Sequence, residues 1–585
     1  MKYGTASEPR EKAIENHLMR VLAGIACLIL ALTTGAVEAG AVQTPPQADP
    51  ALGLDAGAVA APDIFGAQAA RTVLREGGNA VDAAVATGFA LAVTFPGAGN
   101  VGGGGFLTLY VDGKPYFLDY RETAPAAASA GMYLSASGQP VPDLSLVGNL
   151  SSGVPGTVRG LAEAHRRFGR LTWKQDLAPA IALARDGFIV PPGLIAERDY
   201  ALPQLGKNTD FSQWALRMKV GQRFRQPELA ATLQRIADDG AAGFYSGKTA
   251  DLIVAQMSRG PVKGLITHAD LDGYKAVWRE PIEAQWKGFT VITAPPPSSG
   301  GIALLQMLDM KADDAKLFAD QPLNGAQYVH LLAEIEKRVF ADRATYLGDP
   351  DFIQVPVAAL LAPDYLARRA QEIDPDKPSP TASVTPGLEK PQTTHFSVVD
   401  RWGNAASNTY TLNGDFGSGV IVEGAGFLLN DEMDDFSAKP GTPNLFGVVG
   451  GTANAIAPFK RPLSSMTPTI LVKDGRVAMV IGTPGGSRIF TSVFQVLVNV
   501  YDYRLPLKAA VDAPRYHHQL LPSNTIFFEP YGPPPPAVAA ALKTRGYVLE
   551  NQGYNGDIAA IEIQGRMPLV AADPRGRAVS LLVRP

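Results

Sequence analysis

Two adjacent threonines, Thr393 and Thr394, stand where a proline-rich stretch gives way to an alternating run in PQTTHFSVVDRWGN. A threonine hydroxyl is a weak nucleophile unless a base removes its proton, and the α-amine of a chain terminus can act as that base. Such an amine has a pKa of about 7.7–8.0, so part of it is neutral near physiological pH. Thr393 is therefore a candidate nucleophile if the chain is cut just before it. The alternative is an ordinary strand entry, because β-branched residues favour strands.

The residues before the junction provide a route to that cut. The Thr393 hydroxyl can attack the carbonyl carbon of Gln392, which gives an ester by an N→O acyl shift, and water can then hydrolyse the ester. The segment from Ile373 to Gln392 contains five prolines and no apolar periodicity. We therefore expect an exposed connection there, which would allow the new terminus to open into a cleft.

The elements around the junction alternate between helices and strands. Asn79 is predicted to cap a buried helix rich in Ala and Val, and Asp112–Gly113 is predicted to join two strands. Residues 156–371 are mostly helical by pattern, whereas short alternating strands dominate after the junction. Two sheets flanked by helices are implied. The predicted fold class is α+β, either as a layered α+β fold or as an αββα sandwich.

Composition excludes several classes of protein. The chain has 585 residues, of which 46% are hydrophobic and 18% charged, so it is globular and large enough for an extensive core. The net charge of −4 gives no general attraction to nucleic acid or to an acidic membrane surface. We expect no nucleic-acid partner.

The N-terminal region is typical of a secretory signal. Arg10, Lys12 and Arg20 precede the apolar run from Val21 to Ala36, and small residues follow it. The run is shorter than the about 20 residues that span a bilayer, so we predict a signal peptide over residues 1–39 and no stable membrane anchor. An uncleaved anchor is the alternative interpretation.

Cysteine usage points to the same compartment. The single cysteine, Cys27, lies inside the apolar run, so the mature chain would have none. Disulfides, thiol nucleophiles and cysteine-bound zinc are then excluded. An exported chain without disulfides indicates a bacterial periplasmic or secreted protein.

Two further motifs suggest only packing. GNVGGGGF, from Gly99 to Phe106, lacks the Lys-Ser/Thr of a phosphate loop, so we interpret it as close backbone packing. His517 and His518 have no third ligand at helical spacing, so the sequence predicts no metal site there. His395 lies on the opposite strand face from Thr394 and is expected to support the site from behind.

Ten short motifs then follow one another along the chain: GGNAVDAAVA (77–86), DYRETAP (119–125), GVPGTVRGL (153–161), PPPSSGG (295–301), ADRATYLGDPDF (341–352), TTHFSVVD (393–400), TYTLN (409–413), LLNDEMDDFSAKPG (428–441), KRPLSSMTPTI (460–470) and GTPGGSR (482–488). Each one is weak alone, but their order is specific. With them the chain resembles the γ-glutamyltranspeptidases (glutathione hydrolases) of the N-terminal-nucleophile hydrolase superfamily. The resemblance implies a four-layer αββα sandwich of two subunits derived from one precursor.

The resemblance also implies catalytic roles. Thr393 matches the nucleophile, which first cuts the chain and then attacks substrate. Thr411 matches the threonine whose hydroxyl tunes that nucleophile. Gly485 and Gly486 match the oxyanion hole, where glycine lets backbone N–H groups approach developing negative charge.

Substrate-binding residues follow from the same resemblance. Arg121 would hold an α-carboxylate with two parallel hydrogen bonds, helped by the hydroxyls of Ser464 and Ser465. Asn413, Glu432 and Asp435 would accept from the α-ammonium group. The three-residue spacing of the two acids places both on one face of a helical turn.

A departure from many bacterial members occurs in the lid loop. Phe446 stands where those members carry Tyr, so its ring can cover the site but cannot donate a hydroxyl hydrogen bond. We expect a looser lid with effects on acceptor choice.

The predicted organisation is a signal peptide (1–39), a large subunit (40–392) and a small subunit (393–585), held together as a heterodimer of cleavage products. The expected activity is ping-pong hydrolysis or transfer of γ-glutamyl groups from glutathione and related small molecules, to water or to an amino acid or peptide. No metal or organic cofactor is implied.

Two alternatives remain open. A cephalosporin (glutaryl) acylase uses the same scaffold, but its acyl group has no α-ammonium for Glu432 and Asp435 to bind. A non-catalytic exported amino-acid-binding protein would need neither chain cleavage nor Thr393.

Overall fold

Eighteen strands and eighteen α-helices occur in the part of the chain that the computed structural model describes, residues 53–380, 393–439, 451–553 and 556–584. The strands are β1 (Gly57–Ala61), β2 (Gly104–Val111), β3 (Lys114–Asp119), β4 (Phe188–Ile189), β5 (Arg223–Phe224), β6 (Val277–Arg279), β7 (Ile282–Trp286), β8 (Phe289–Thr293), β9 (Thr394–Val399), β10 (Ala405–Thr411), β11 (Thr469–Lys473), β12 (Arg476–Gly482), β13 (Tyr516–His517), β14 (Thr525–Phe528), β15 (Val548–Asn551), β16 (Ala559–Gln564), β17 (Met567–Ala572) and β18 (Val579–Val583).

The helices vary from one turn to more than five turns. They are α1 (Ile64–Arg75), α2 (Ala80–Thr94), α3 (Thr157–Phe168), α4 (Trp173–Asp186), α5 (Pro192–Leu205), α6 (Phe211–Ala215), α7 (Pro227–Asp239), α8 (Ala242–Tyr245), α9 (Gly247–Met257), α10 (His268–Gly273), α11 (Gly300–Asp313), α12 (Ala315–Phe318), α13 (Ala326–Tyr346), α14 (Val357–Leu360), α15 (Pro363–Gln371), α16 (Arg488–Tyr501), α17 (Leu507–Asp512) and α18 (Pro536–Thr544). None of these described helices is both long and apolar enough to cross a lipid bilayer.

Two antiparallel sheets form the centre of the molecule. The first has seven strands in the order β18-β1-β9-β10-β2-β3-β6, and the second has six in the order β17-β16-β12-β11-β8-β7. Apolar side chains from both sheets, including Val399, Ile470, Val480 and Ile561, form one buried cluster between them. The sheets therefore pack face to face through the hydrophobic effect.

Helices cover the outer face of each sheet. Helices α1 and α2 pack on the first sheet through a buried cluster that includes Val81 and Leu91. Helices α11, α13 and α16 cover the second sheet through a cluster that includes Leu304, Ile335 and Val493. The result is the four-layer αββα sandwich, which confirms the predicted fold class.

Local sequence signals explain why several of these elements begin where they do. Asn79 caps helix α2 by accepting from the backbone N–H groups of Val81 and Asp82, and the Asp82 carboxylate accepts in return from Asn79 N–H. This reciprocal arrangement is a capping box. Every residue of α2 is buried, as its small apolar composition predicted. The predicted hairpin at Asp112–Gly113 is confirmed as well, since it joins β2 and β3.

Strand β9, which begins at Thr394, alternates its side chains between two environments. Phe396 and Val398 pack among the helices, whereas the Ser397 hydroxyl donates to the Ala559 carbonyl oxygen of the second sheet at 2.9 Å. This period of two fixes which face each residue of the strand presents.

Close helix–strand packing at Gly160 generates a stability prediction. A Cβ added at Gly160 in helix α3 would lie 2.3 Å from the ring of Tyr120, which is itself fully buried. Although alanine favours helix, we expect Gly160→Ala to destabilise the protein by about 1–3 kcal/mol because the buried ring has no room to move. Calorimetry should therefore record a lower Tm. Gly131→Ala is the matched control, because an added Cβ there meets nothing within 4 Å; an equal Tm for both variants would contradict the prediction.

Candidate active site

One small cavity gathers most of the residues that the sequence nominated. Its lining consists of Arg121, Arg343, Thr393, Thr411, Asn413, Glu432, Asp435, Ser464, Ser465, Met466, Gly486, Ser487 and Ile489. Its volume is about 20 Å³, enough for roughly one water molecule. The residues come from segments far apart in the chain, so the fold alone creates this site.

The two predicted reactive threonines enter from neighbouring strands. Thr393 directly precedes β9, and β9 pairs with β10 so that Thr394 lies opposite Tyr410. The same register brings Thr411, at the end of β10, alongside Thr393. The Thr411 hydroxyl oxygen accepts from Asn413 N–H at 2.9 Å. The Thr411 hydroxyl in turn donates to the Asn413 carbonyl oxygen at 3.5 Å.

Arg121 follows strand β3 and is positioned by its neighbour Asp119. The Asp119 carboxylate accepts from Arg121 N–H at 2.9 Å and from the side chain of Arg279 at 2.8 Å. Arg461 lies 3.4 Å from the same carboxylate. Two arginines thus hold Asp119, and Asp119 fixes the backbone from which Arg121 projects.

The Arg121 guanidinium makes charged contacts with the two acids predicted to accept an ammonium group. Its two terminal nitrogens pair with Glu432 and Asp435, which lie three residues apart on a short 3₁₀ helix. Burial by itself would lower the pKa of Arg121, but Glu432, Asp435 and Glu122 together raise it. In this arrangement each of the two acids pairs with one terminal nitrogen of Arg121.

Glu122 adds a third carboxyl group to this cluster. Its Oε2 lies 3.8 Å from the guanidinium of Arg121, and both of its oxygens are buried without a hydrogen-bond partner among the described residues. Burial raises the pKa of Glu122 to about 8, although Arg121 opposes the shift. Burial also raises the pKa of Glu432 and that of Asp435. One arginine therefore does not keep all three acids ionised near neutral pH.

Ser464 and Ser465 are held by the bend that contains PPPSSGG. Ser299 donates to the Ser464 carbonyl oxygen from both its backbone N–H and its hydroxyl, each at 2.8 Å, and Ser464 N–H donates to the Pro297 carbonyl oxygen at 2.9 Å. These bonds fix the serine pair against one wall of the cavity. Their hydroxyls are therefore positioned by backbone contacts rather than by local helix or strand structure.

Gly485 and Gly486 lie at the start of helix α16, after strand β12. Both have positive φ, 138° and 57°, where a side chain would be strained. Their carbonyl oxygens accept from Arg488 and Ile489 N–H groups and so begin the helix. Backbone N–H groups at a helix N-terminus attract negative charge, which suits a developing oxyanion. Gly486 lines the cavity, and Gly485 is the residue directly before Gly486 in the chain.

The glycine cluster of GNVGGGGF has a packing role, as the sequence predicted. A Cβ at Gly102 would lie 2.1 Å from the Leu428 carbonyl oxygen, and one at Gly103 would lie 2.0 Å from the Thr411 carbonyl oxygen. Only glycine permits this approach. The cluster thereby seats the ends of β10 and of the segment before Glu432, both of which carry site residues.

Sequence reasoning missed several residues at the cavity. Arg343, Met466, Ser487 and Ile489 line it but were not nominated. Glu122 was not nominated either, and it is fully buried beside Arg121. Arg343 and Ser487 lie within two of the short motifs, ADRATYLGDPDF and GTPGGSR. Treating every polar residue of these motifs as a candidate site residue would have found both.

The histidines that the sequence singled out support the site from behind. The His395 side chain bonds Thr409 Oγ1 at 2.8 Å and Ser397 Oγ at 3.1 Å, and burial lowers its pKa to about 3. His517 Nε2 lies 3.3 Å from the Ser487 hydroxyl. Both rings are buried and neutral, which agrees with a packing role.

Ten of the eleven predicted site residues are thus placed at or beside one cavity. Phe446 and Gln392 lie outside the described residues. Among the described ranges, one group has side chains that could hold a metal ion: Asp82, His165 and Asp176. There Asp82 accepts from the backbone N–H groups of Asn79, Arg170 and Leu171, and His165 Nε2 lies 3.0 Å from the Leu171 carbonyl oxygen.

Comparison with known proteins agrees with this geometry. A profile of the family described as Gamma-glutamyltranspeptidase matches residues 66–583. The chain is 61% identical over 533 residues to a glutathione hydrolase proenzyme of Pseudomonas aeruginosa, covering 91% of this chain and 95% of that one.

Two solved structures are similar to this chain. A gamma-glutamyltranspeptidase from Pseudomonas nitroreducens, complexed with L-DON, is 57% identical with a TM-score of 0.56, covering 57% of this chain and 98% of that chain. A cephalosporin acylase from Bacillus halodurans is 27% identical with a TM-score of 0.78, covering 92% of this chain and 99% of that chain. Because the family profile matches most of the sequence and the αββα architecture agrees with it, this chain belongs to the gamma-glutamyltranspeptidase family.

Proposed function

We propose that this protein is a γ-glutamyl hydrolase/transferase that acts on glutathione and other γ-glutamyl compounds through an ester on Thr393. The observation that carries the proposal is the combination, in one cavity, of a threonine at a predicted cleavage point with a guanidinium and two acids. A nucleophile next to paired opposite charges suits a substrate that carries an α-carboxylate and an α-ammonium group near its reacting amide.

Recognition would proceed by exchange of ionic partners. Arg121 contacts Glu432 and Asp435 in the cavity, so an α-amino acid group can bind by giving its carboxylate to Arg121 and its ammonium to the acids. Each buried charge then keeps a partner of opposite sign. A ligand with only one of the two charges would leave a buried group unpaired, which is costly.

The chemistry would take two steps. The Thr393 α-amine takes the hydroxyl proton as Thr393 Oγ attacks the γ-carbonyl carbon, and N–H groups at Gly485–Gly486 stabilise the oxyanion. The amine of the leaving group departs with a proton, and a γ-glutamyl ester remains. Water or the amine of an acceptor then attacks the ester and restores Thr393. No metal or organic cofactor has a part in these steps.

Maturation would precede catalysis. We propose cleavage between Gln392 and Thr393, which yields pieces 40–392 and 393–585 that remain together as a heterodimer. Arg121 belongs to the first piece, whereas Thr393, Glu432 and Asp435 belong to the second, so the cavity needs both. The proenzyme name of the Pseudomonas aeruginosa relative supports this order. We also propose that residues 1–39 direct export to the periplasm or exterior of a bacterium.

A glutaryl acylase is the alternative that the Bacillus halodurans likeness favours. The acyl group of such a substrate carries a carboxylate but no ammonium. Burying Glu432 and Asp435 beside it would add repulsion without a compensating contact. The charges of the site therefore favour the γ-glutamyl substrate.

Substrate preference is the direct test of the proposed function. We expect kcat/KM for γ-glutamyl-p-nitroanilide to exceed that for glutaryl-p-nitroanilide by at least about 100-fold, because only the first supplies the ammonium. Asp435→Asn should reduce this ratio by lowering only the γ-glutamyl value. Asp434→Asn is the matched control, since Asp434 accepts from Ser145 rather than from Arg121. A wild-type preference for the glutaryl compound would favour the acylase.

Self-cleavage provides a second prediction. Thr393→Ala should leave a single unprocessed chain, because no hydroxyl remains to attack the preceding carbonyl, and Thr393→Ser should be cut more slowly. A denaturing gel with mass determination of the fragments measures the outcome. Thr394→Val is the control, because its buried hydroxyl has no hydrogen-bond partner among the described residues. Normal cleavage of Thr393→Ala, or none of Thr394→Val, would contradict the assignment; a single-chain wild type would favour the binding-protein alternative.

The pKa of Glu122 predicts an effect at alkaline pH. With a pKa of about 8, Glu122 is neutral below that pH and ionised above it, where its charge competes with the substrate carboxylate for Arg121. Glu122→Gln should therefore gain in kcat/KM relative to wild type as pH rises from about 7 to about 9.5. The ratio of the two enzymes cancels the ionisation of the substrate. A ratio that stays constant over this range would show that Glu122 does not titrate there.

A further inference from the structure

The cavity contains a second guanidinium besides that of Arg121. Arg343 lies near the C-terminal end of helix α13 and is only 7% exposed. It lines the same cavity as Thr393 and Arg121. A buried arginine at a reactive site requires partners, and those partners suggest its role.

Arg343 connects the two segments that form one wall of the cavity. Its Nε donates to Ser299 Oγ at 3.0 Å, and one terminal nitrogen donates to Ser465 Oγ at 3.1 Å. The Ser299 hydroxyl donates in turn to the Ser464 carbonyl oxygen at 2.8 Å. The guanidinium thus reaches the predicted serine pair directly and through Ser299.

The bond to Ser465 determines how that hydroxyl can be used. A guanidinium has only donors, so Ser465 Oγ must be the acceptor in this contact. The serine proton is then left to be donated to another group. A hydroxyl that accepts a hydrogen bond from a cation is polarised, so its own proton becomes a better donor. Such a donor favours a negatively charged acceptor such as a carboxylate.

Arg343 also acts on the acidic side of the cavity. Burial raises the pKa of Asp435, and the positive charges of Arg121 and Arg343 oppose that rise. This effect on Asp435 is shared with Arg121, whose contribution is the larger one. The hydrogen bond to Ser465 is the contact through which Arg343 acts on a bound carboxylate.

We propose that Arg343 is a positioning residue for the substrate α-carboxylate and acts through the Ser465 hydroxyl, which it holds as an outward donor. This inference rests on the proposed γ-glutamyl function. Arg343 would then be a second residue of the large subunit, in addition to Arg121, that determines specificity for a free α-carboxylate. Arg343 does not need to contact the reacting carbonyl, so we expect it to affect substrate binding and not the chemical step.

A double-mutant cycle tests the connection. Arg343→Gln and Ser465→Ala should each raise KM for γ-glutamyl-p-nitroanilide by about 10-fold or more, with kcat changed by less than about 3-fold, since a hydrogen bond to a charged group is lost. The double variant should have a KM within about 3-fold of Ser465→Ala alone, because both changes remove one interaction. If the fold increases in KM of the two single variants multiply in the double variant, the proposal is overturned.

A second substrate separates positioning from general support of the fold. 4-Aminobutyryl-p-nitroanilide lacks the α-carboxylate, so Arg343→Gln should change its kcat/KM by less than about 3-fold. An equal loss on both substrates would overturn the proposal. If Arg343→Gln is not recovered as two processed pieces, Arg343→Lys is used in the same cycle, because it keeps the charge but cannot reach both serines. A wild-type protein that does not turn over γ-glutamyl-p-nitroanilide would instead overturn the proposed function and this inference together.

Discussion

A guanidinium that is buried away from water needs partners of opposite charge. The rest of the site depends on which groups pair with Arg121. Glu432 and Asp435 lie 311 and 314 residues further along the chain. Breaking a buried ion pair by removing one partner typically costs about 3–5 kcal/mol, so neither half of the contact is stable alone in this environment. The charge cluster consequently forms only when the segments on both sides of residue 393 are folded together.

This constraint explains the unusual backbone around the site. Arg121 must leave strand β3 at a fixed point, and Asp119 fixes it by accepting from its backbone N–H. The acids must approach from the opposite side, and Asn430 anchors their segment by accepting from Glu432 N–H at 3.0 Å and Gly153 N–H at 2.9 Å. Glycine at 102 and 103 lets these chains come into backbone contact. Positive charge, negative charge and close packing are therefore parts of one arrangement.

Elements whose signals are local could be predicted from the sequence. The cap at Asn79, the hairpin at Asp112–Gly113 and the alternation of strand β9 are each decided by residues within a few positions of one another. The fold class followed from the order of such elements. The nominated site residues came from motif resemblance, and their gathering in one cavity agrees with it, although their individual roles remain predictions.

Residues whose environment is set by distant packing could not be predicted in this way. Helix α13 is the clearest case: Glu334, Glu336, Lys337, Arg338 and Arg343 are all buried, although a helix with so many charges normally has a solvent-exposed face. Lys337 and Arg338 pair with Glu334, whereas Arg343 reaches the cavity. Which of these charges serves the fold and which faces the site depends on contacts with α11, β13 and the serine pair, and none of these is encoded within the helix.

The different environments of Thr393 and Thr394 show how distant packing determines which side chain faces the cavity. The two side chains emerge on opposite faces of one strand, and a shift of one residue would exchange them. Phe396 and Val398 prevent that shift, because they are fully buried among the helices and would otherwise be turned toward the polar contacts of His395 and Ser397. Thr394, on the helix side, has a buried hydroxyl without a partner among the described residues, whereas Thr393 lines the cavity. The hydrophobic effect acting on two apolar side chains therefore decides which of the two threonine side chains faces the cavity.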